Sequence, residues 1–143
     1  CFCKVNSLLK DIIQDLAKNF DIVLIDGEAG VEQINRRVMK TVDHLIMVSD
    51  TSAKGVNVAQ TIKHLARDNQ AVNYKSMGMI LNRVRDQQEV ENIKNHASLD
   101  ILGWLPEDEL IREFDFHGKS FLDYPDTATA YKTIDGIVHS MKL

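Results

Sequence analysis

Apolar residues recur at Leu8, Leu9, Ile12, Ile13 and Leu16, with Lys10, Asp11, Gln14 and Lys18 on the other side, so the pattern predicts an amphipathic helix over Val5–Lys18. Asn6 or Ser7 can cap its start, and Asn19 stands where it should end. The period then changes. Ile22–Ile25 is a continuous apolar run that stops at Asp26, with Gly27, Glu28, Gly30 and Glu32 beyond it. A short run rich in branched residues and bounded by glycine predicts a strand buried on both faces. Gly30–Thr41 reads as a loop leading into a short helix. From there the pattern predicts a strand over His44–Ser49, a helix over Ala53–Asp68, a strand over Ser76–Val84, a helix over Gln87–His96 and a strand over Leu99–Leu105. A helical turn over Glu109–Phe114 follows, and then a final amphipathic helix over about Ala128–Met141, with Asp126 or Thr127 as its cap.

Strand and helix alternate four times. That order predicts an α/β fold: a doubly wound, mostly parallel sheet with helices on both faces and right-handed crossovers. No shift in composition marks a linker, so residues 1–143 read as a single domain or part of one. Polar groups gather at the carboxyl end of each predicted strand: Asp26, Ser49-Asp50, Asn82-Arg83 and Pro106-Glu107-Asp108. In a doubly wound sheet these ends share one edge and line the crevice where ligands bind. Asp26 before a glycine-containing loop suits a segment that senses Mg²⁺ and phosphate, because an acid projects into the crevice and glycine lets backbone approach a ligand. An ordinary Asp-Gly turn gives the same pattern.

Composition narrows the class. The chain is 44% hydrophobic and 27% charged, ordinary for a domain with a buried core. A formal charge of −4 gives no electrostatic footprint for nucleic acid, and no apolar run is long enough to span a bilayer. Two cysteines, Cys1 and Cys3, are too few for a disulfide framework. Lack of a secretory segment favours a reducing, cytoplasmic setting, in which close thiols bind metal or do redox work. The chain opens on Cys1 rather than Met and reads as a piece of a longer polypeptide.

Asp26-x-x-x-Gly30 after an apolar strand, Asn82-Arg83, Leu105-Pro106-Glu107-Asp108, and Gly118-Lys119-Ser120 followed by Pro125-Asp126 before a final helix occur here in order. This succession resembles the deviant-Walker-A ATPases, relatives of MinD and the nitrogenase iron protein. Cys1-Phe2-Cys3 upstream of Asp-x-Glu-Ala-Gly-x-Glu, Asp26 to Glu32, looks more specifically like the CooC-type nickel-insertion ATPases that mature carbon monoxide dehydrogenase. The resemblance implies the C-terminal part of a P-loop NTPase fold that binds ATP or ADP with Mg²⁺. It implies that Asp26 holds Mg²⁺ through water, Gly30 offers its amide to the terminal phosphate, and Asn82 reads the adenine edge. Arg83, Pro106 and Glu107 would flank base and ribose. Cys1 and Cys3 would clamp Ni²⁺ or Zn²⁺, with a second pair supplied by a homodimer partner. ATP would draw the two subunits together and hydrolysis would loosen them. The recipient would be apo-carbon monoxide dehydrogenase or a similar nickel enzyme.

The departure from the family is the phosphate loop. Gly118-Lys119-Ser120 has its tripeptide but lacks the preceding glycine and lies in the last third of the chain. The resemblance places the true loop and the catalytic residues upstream of Cys1, so no catalytic residue is expected in this stretch and ATP hydrolysis by it should be poor or absent. Two other readings stand beside nickel insertion: a MinD-like nucleotide switch that positions a partner without moving metal, and electron transfer through a bridged cluster. The last helix lacks the basic amphipathic face of a membrane-surface tail. Among single residues, Asp26 also reads as a turn or cap acid, and the cysteines as a redox pair or coincidence. Arg36-Arg37 reads as a contact with a partner or phosphate, or as a solvated helix face. The five histidines are scattered without ligand spacing, and Trp104 reads as packing.

Overall fold

Three strands, Thr41–Ser49 (β1), Asn73–Val84 (β2) and Ile101–Pro106 (β3), form a parallel sheet in that spatial order. The structure is a computed structural model that describes residues 3–27, 41–68 and 72–141, with the backbone alone for 3–7, 9 and 10. Among the described residues, helix Cys3–Ala17 (α1) joins none of the core clusters, whereas Ala53–Asp68 (α2), Gln87–His96 (α3), Glu109–Phe116 (α4) and Thr129–Ser140 (α5) pack on the sheet, with a single 3-10 turn at Phe121–Asp123.

Alternation along β2 builds two cores, one on each face. Met79, Leu81 and Val84 are sealed with Met47, Ala59, Val90 and Leu99, joining α2 and α3 to one face. Ile80 faces the other way and packs with Leu105, Ala130 and Ile137, which brings in α5; Ile111 of α4 and Tyr124 flank this cluster. A central parallel strand covered on both faces reads in sequence as a near-continuous apolar run, and Met77–Leu81 is one. The doubly wound arrangement expected from the alternation is therefore present, with helices on both faces. Trp104 packs against the first core, as expected.

The strands at 44–49 and 76–84 were expected at the right places but begin earlier, at Thr41 and Asn73. The ladder between β2 and β3 is irregular: Leu81 pairs with Trp104 and Val84 with Pro106, so β2 carries an extra residue around Asn82-Arg83. This is a β-bulge, and Arg83 occupies it with φ of 56°.

Three expectations fail. Ile22–Ile25 is irregular rather than a strand, and its side chains are 40 to 91% exposed. A strand exists only within a ladder, and among the described residues nothing pairs with this run. Asn6 and Ser7 lie inside α1, which begins at Cys3, so neither is its cap. α5 has Ala128 at its N-cap with no side-chain cap, because Ala128 N–H closes a turn onto the Pro125 carbonyl at 3.1 Å and places Asp126 and Thr127 in the middle of that turn. The loop and short helix expected over Gly30–Thr41 lie outside the described residues except for Thr41, which opens β1.

The Gly118-Lys119-Ser120 tripeptide has a structural role. Lys119 N–H reaches the Phe114 carbonyl at 2.9 Å and Gly118 N–H the Asp115 carbonyl at 3.1 Å, the paired bonds of a Schellman ending. Gly118 takes the left-handed φ of 59° which that ending requires. Lys119 pairs with Glu113 at 2.7 Å and lies 5.2 Å from the centre of the Phe114 ring, while Ser120 caps the 3-10 turn through Leu122 N–H. A Cβ on Gly118 would meet nothing within 4 Å, so its cost is conformational alone. Gly118→Ala should destabilise the protein by about 1 kcal/mol, and Gly118→Asn by less, read as shifts of the urea unfolding midpoint at constant slope.

Candidate functional site

The carboxyl edge of the sheet carries a polar cleft of about 320 Å³, lined by Asp50, Thr51, Ser52, Arg83, Arg85, Glu89 and Glu107. Each strand hands over to a helix here, and each handover is built around an aspartate. Asp50 follows β1 and accepts from Ser52 Oγ at 2.5 Å and Ser52 N–H at 3.1 Å, while Ser52 Oγ in turn accepts from Gly55 N–H at 3.1 Å at the start of α2. Asp86 follows β2 and accepts from Glu89 N–H at 3.0 Å, and the Glu89 carboxylate reaches back to Arg85 N–H at 3.1 Å. Asp108 follows β3, accepts from Leu110 N–H at 2.8 Å as the cap of α4, and takes the Tyr124 hydroxyl at 3.2 Å.

These bonds shape the charge of the cleft. The Ser52 hydroxyl, then its N–H, hold the Asp50 carboxyl below its ordinary range, and the Arg83 guanidinium adds to this. Burial and the bond to Asp108 raise the Tyr124 phenol. Arg83 and Arg85 enter no ion pair among the described residues, so they supply cationic groups to a cleft whose Asp50 and Glu89 already accept backbone N–H bonds. A Cβ on Gly55 would stand 2.5 Å from Ser49 Oγ and 2.6 Å from Asp50 Oδ1, so the glycine is what lets α2 start this close to the acid.

Of the residues expected to bind nucleotide, Arg83 and Glu107 line the cleft. Asn82 sits beside it in the bulge, where its Oδ1 accepts from Arg83 N–H at 2.9 Å and its amide NH₂ has no hydrogen-bond partner among the described residues. Pro106 ends β3 opposite Val84, and Glu107 N–H binds the Val84 carbonyl at 3.1 Å, which ties the two strand ends together. Asp26 is exposed in an irregular segment and does not line the cleft. Gly30 and Cys1 lie outside the described residues; Cys3 is the first residue of α1, and its side chain is not described. Among the described residues no group of three or more His, Cys, Asp or Glu converges to hold a metal ion. Sequence reasoning missed Arg85 and Glu89. Asp86-x-x-Glu89 before an apolar-periodic segment is a capping pattern that signals where β2 ends and α3 begins, though not that these residues meet Asp50 and Glu107.

No known family model matches the chain. It is 34% identical over 143 residues to the uncharacterized ATP-binding protein MJ0685 of Methanocaldococcus jannaschii, covering 99% of this chain and 56% of that one. It is 32% identical over 125 residues to the carbon monoxide dehydrogenase accessory protein CooC of Rhodospirillum rubrum, covering 86% and 46%. It is 28% identical over 135 residues to the septum site-determining protein MinD of Bacillus subtilis, covering 88% and 50%. The fold is that of the MinD cell division protein of Aquifex aeolicus, with a TM-score of 0.69, 19% identity, and coverage of 96% of this chain and 61% of that one. The chain spans about half the length of the curated relatives it matches. None of the helices among the described residues is long and apolar enough to cross a membrane.

Ser52→Ala removes the hydroxyl but keeps the backbone N–H, so the Asp50 pKa should rise part of the way toward its ordinary value in a carboxylate NMR titration. The sign follows from linkage. A carboxyl depressed by folding stabilises the native state above its unfolded pKa, and that contribution is lost as pH falls through the folded pKa. The variant should therefore lose less stability than the parent between neutral and acid pH.

Proposed function

We propose, from the chain's kinship with the MinD-like P-loop ATP-binding proteins, that the carboxyl edge of its sheet is one wall of an ATP site, and that the parent activity is ATP-dependent insertion of nickel into carbon monoxide dehydrogenase or a similar enzyme. The observation that carries this reading is the polar cleft at the strand ends, lined by Arg83 and Glu107, in a chain that shares 32% identity with a carbon monoxide dehydrogenase accessory protein.

The residues present suit the group. The amide NH₂ of Asn82 is unengaged among the described residues and its Oδ1 keeps a second lone pair, the donor and acceptor an adenine edge needs. Arg83, Pro106 and Glu107 flank that position at the joined ends of β2 and β3. Asp26 offers a single exposed carboxylate, which suits a hard cation that keeps most of its waters and takes its other ligands from phosphate. In this reading Gly30 gives its backbone amide to the terminal phosphate. When bound, Mg-ATP supplies the free energy that closes and reopens a two-subunit assembly. Nickel is the cargo. Cys1 and Cys3 of each subunit hold it as thiolates, and two chains related by a two-fold axis provide the four sulfurs that a single chain lacks. The B. subtilis MinD relationship favours a second reading, in which the same nucleotide wall switches association with a partner and no metal moves.

Two measurements test this. Titration of the chain with Ni²⁺ under reducing conditions, with mass measured in the same samples, should give one metal per two chains. Cys1→Ser/Cys3→Ser should abolish both the binding and the mass increase. Binding that survives the double substitution overturns the metal clamp, and absence of binding shifts the assignment to the switch. Saturation-transfer NMR with Mg-ATP should show contact at the adenine protons that Asn82→Ala removes. An unchanged adenine signal in that variant overturns the nucleotide wall.

A further inference from the structure

Charge is unevenly divided along the chain. Residues 107–126 hold seven acids and two bases, a net −5, in a chain whose total is −4, so the remainder sums to +1. The same stretch carries Phe116, Phe121 and Leu122, exposed by 84, 52 and 97%.

Phe121 and Leu122 are not exposed for want of local structure. Gly118 and Lys119 close the end of α4, Ser120 Oγ accepts from Leu122 N–H, and the Asp123 and Tyr124 N–H groups reach the Ser120 and Phe121 carbonyls at 3.0 and 3.2 Å. The Phe121 ring lies 5.9 Å from the rings of both Phe114 and Tyr124. Phe114 is buried, and the Tyr124 hydroxyl is tied to Asp108. The turn thus packs part of Phe121 and leaves Leu122 almost wholly in solvent. A lone exposed leucine means little. A braced turn that presents a Phe-Leu pair has the anatomy of a binding loop on a rigid scaffold.

The charges near the pair define what can cover it. Glu109 and Glu113 are matched by Arg112 and Lys119. Asp115, Asp123 and Asp126 are exposed and enter no ion pair among the described residues. A partner that covers Phe121 and Leu122 must bring positive charge to these acids. An anionic lipid surface would be repelled by them. A second copy of the chain in a two-fold contact would set the acidic patch against itself.

We propose that the turn at Phe121–Asp123 is a docking site for a basic, amphipathic segment of another protein. Its apolar side chains seat on Phe121 and Leu122, and its Lys or Arg groups face Asp115, Asp123 and Asp126. The site shares no residue with the carboxyl-edge cleft and stands whether or not that cleft binds nucleotide.

The probe is a short synthetic amphipathic helix of leucine and lysine, with a leucine and glutamate helix as its control. Titrated into the isotope-labelled chain, the lysine peptide should shift amide signals of residues 114–124, and the glutamate peptide should not bind. Raising salt from about 50 to about 300 mM should weaken binding at least about threefold. Leu122→Ser should weaken it at least about tenfold and leave the unfolding midpoint unchanged, because the side chain it removes is already in water. Asp115→Lys/Asp123→Lys should weaken it by a similar factor. Equal binding of the two peptides, shifts centred outside 114–124, or binding that Leu122→Ser leaves intact overturns the proposal. So does a chain that dimerises alone through residues 114–124, or one that binds phosphatidylserine vesicles through Leu122, since either would name a different occupant.

Discussion

The fold depends on β2 being covered on both faces. Met79 and Leu81 have no exposure at all, and Ile80 between them is the seed of the opposite core. A parallel strand contributes no hairpin and few local contacts. Its position is determined by ladders to strands far away in sequence, Thr41–Ser49 on one side and Ile101–Pro106 on the other. Those ladders form only if α2 and α3 cover one face while α5 covers the other, so burial and pairing are one cooperative event. This is also why the bulge at Asn82-Arg83 has consequences. It occurs where the central strand leaves its buried stretch, and it turns Asn82 and Arg83 away from the regular pleat and toward the edge.

The carboxyl edge owes its chemistry to the same geometry. In a parallel sheet every strand ends on this edge and every following helix begins near it, so orphan N–H groups and strand-end side chains meet there. The chain answers with Asp50, Asp86 and Asp108, each accepting backbone N–H bonds at one handover. An acid engaged in this way stabilises a helix start, and at Asp50 the bonds from Ser52 also hold the carboxyl below its ordinary range. The guanidinium groups of Arg83 and Arg85, paired with no carboxylate among the described residues, remain available to a ligand. Many acids near a cleft therefore do not make it a cation site. What counts is which of them already have donors.

Much of this was legible in the chain, for identifiable reasons. The three observed strands follow from short apolar runs and the helices between them from a period of 3.6, and Asn82-Arg83 and Pro106-Glu107 were recognisable as polar exits from those runs. The reading failed where local pattern meets a missing or unforeseen neighbour. Ile22–Ile25 has the composition of a buried strand but, among the described residues, no ladder to join, so pattern alone misjudged it. Asp126 and Thr127 are good caps by type, but the turn onto Pro125 takes that stretch of backbone first. The bulge left no mark beyond an Asn-Arg pair, because it arises from the mismatch between β2 and β3 and belongs to neither strand alone. Arg85 and Glu89 were missed because their proximity to Asp50 and Glu107 is a product of the sheet and not of sequence distance.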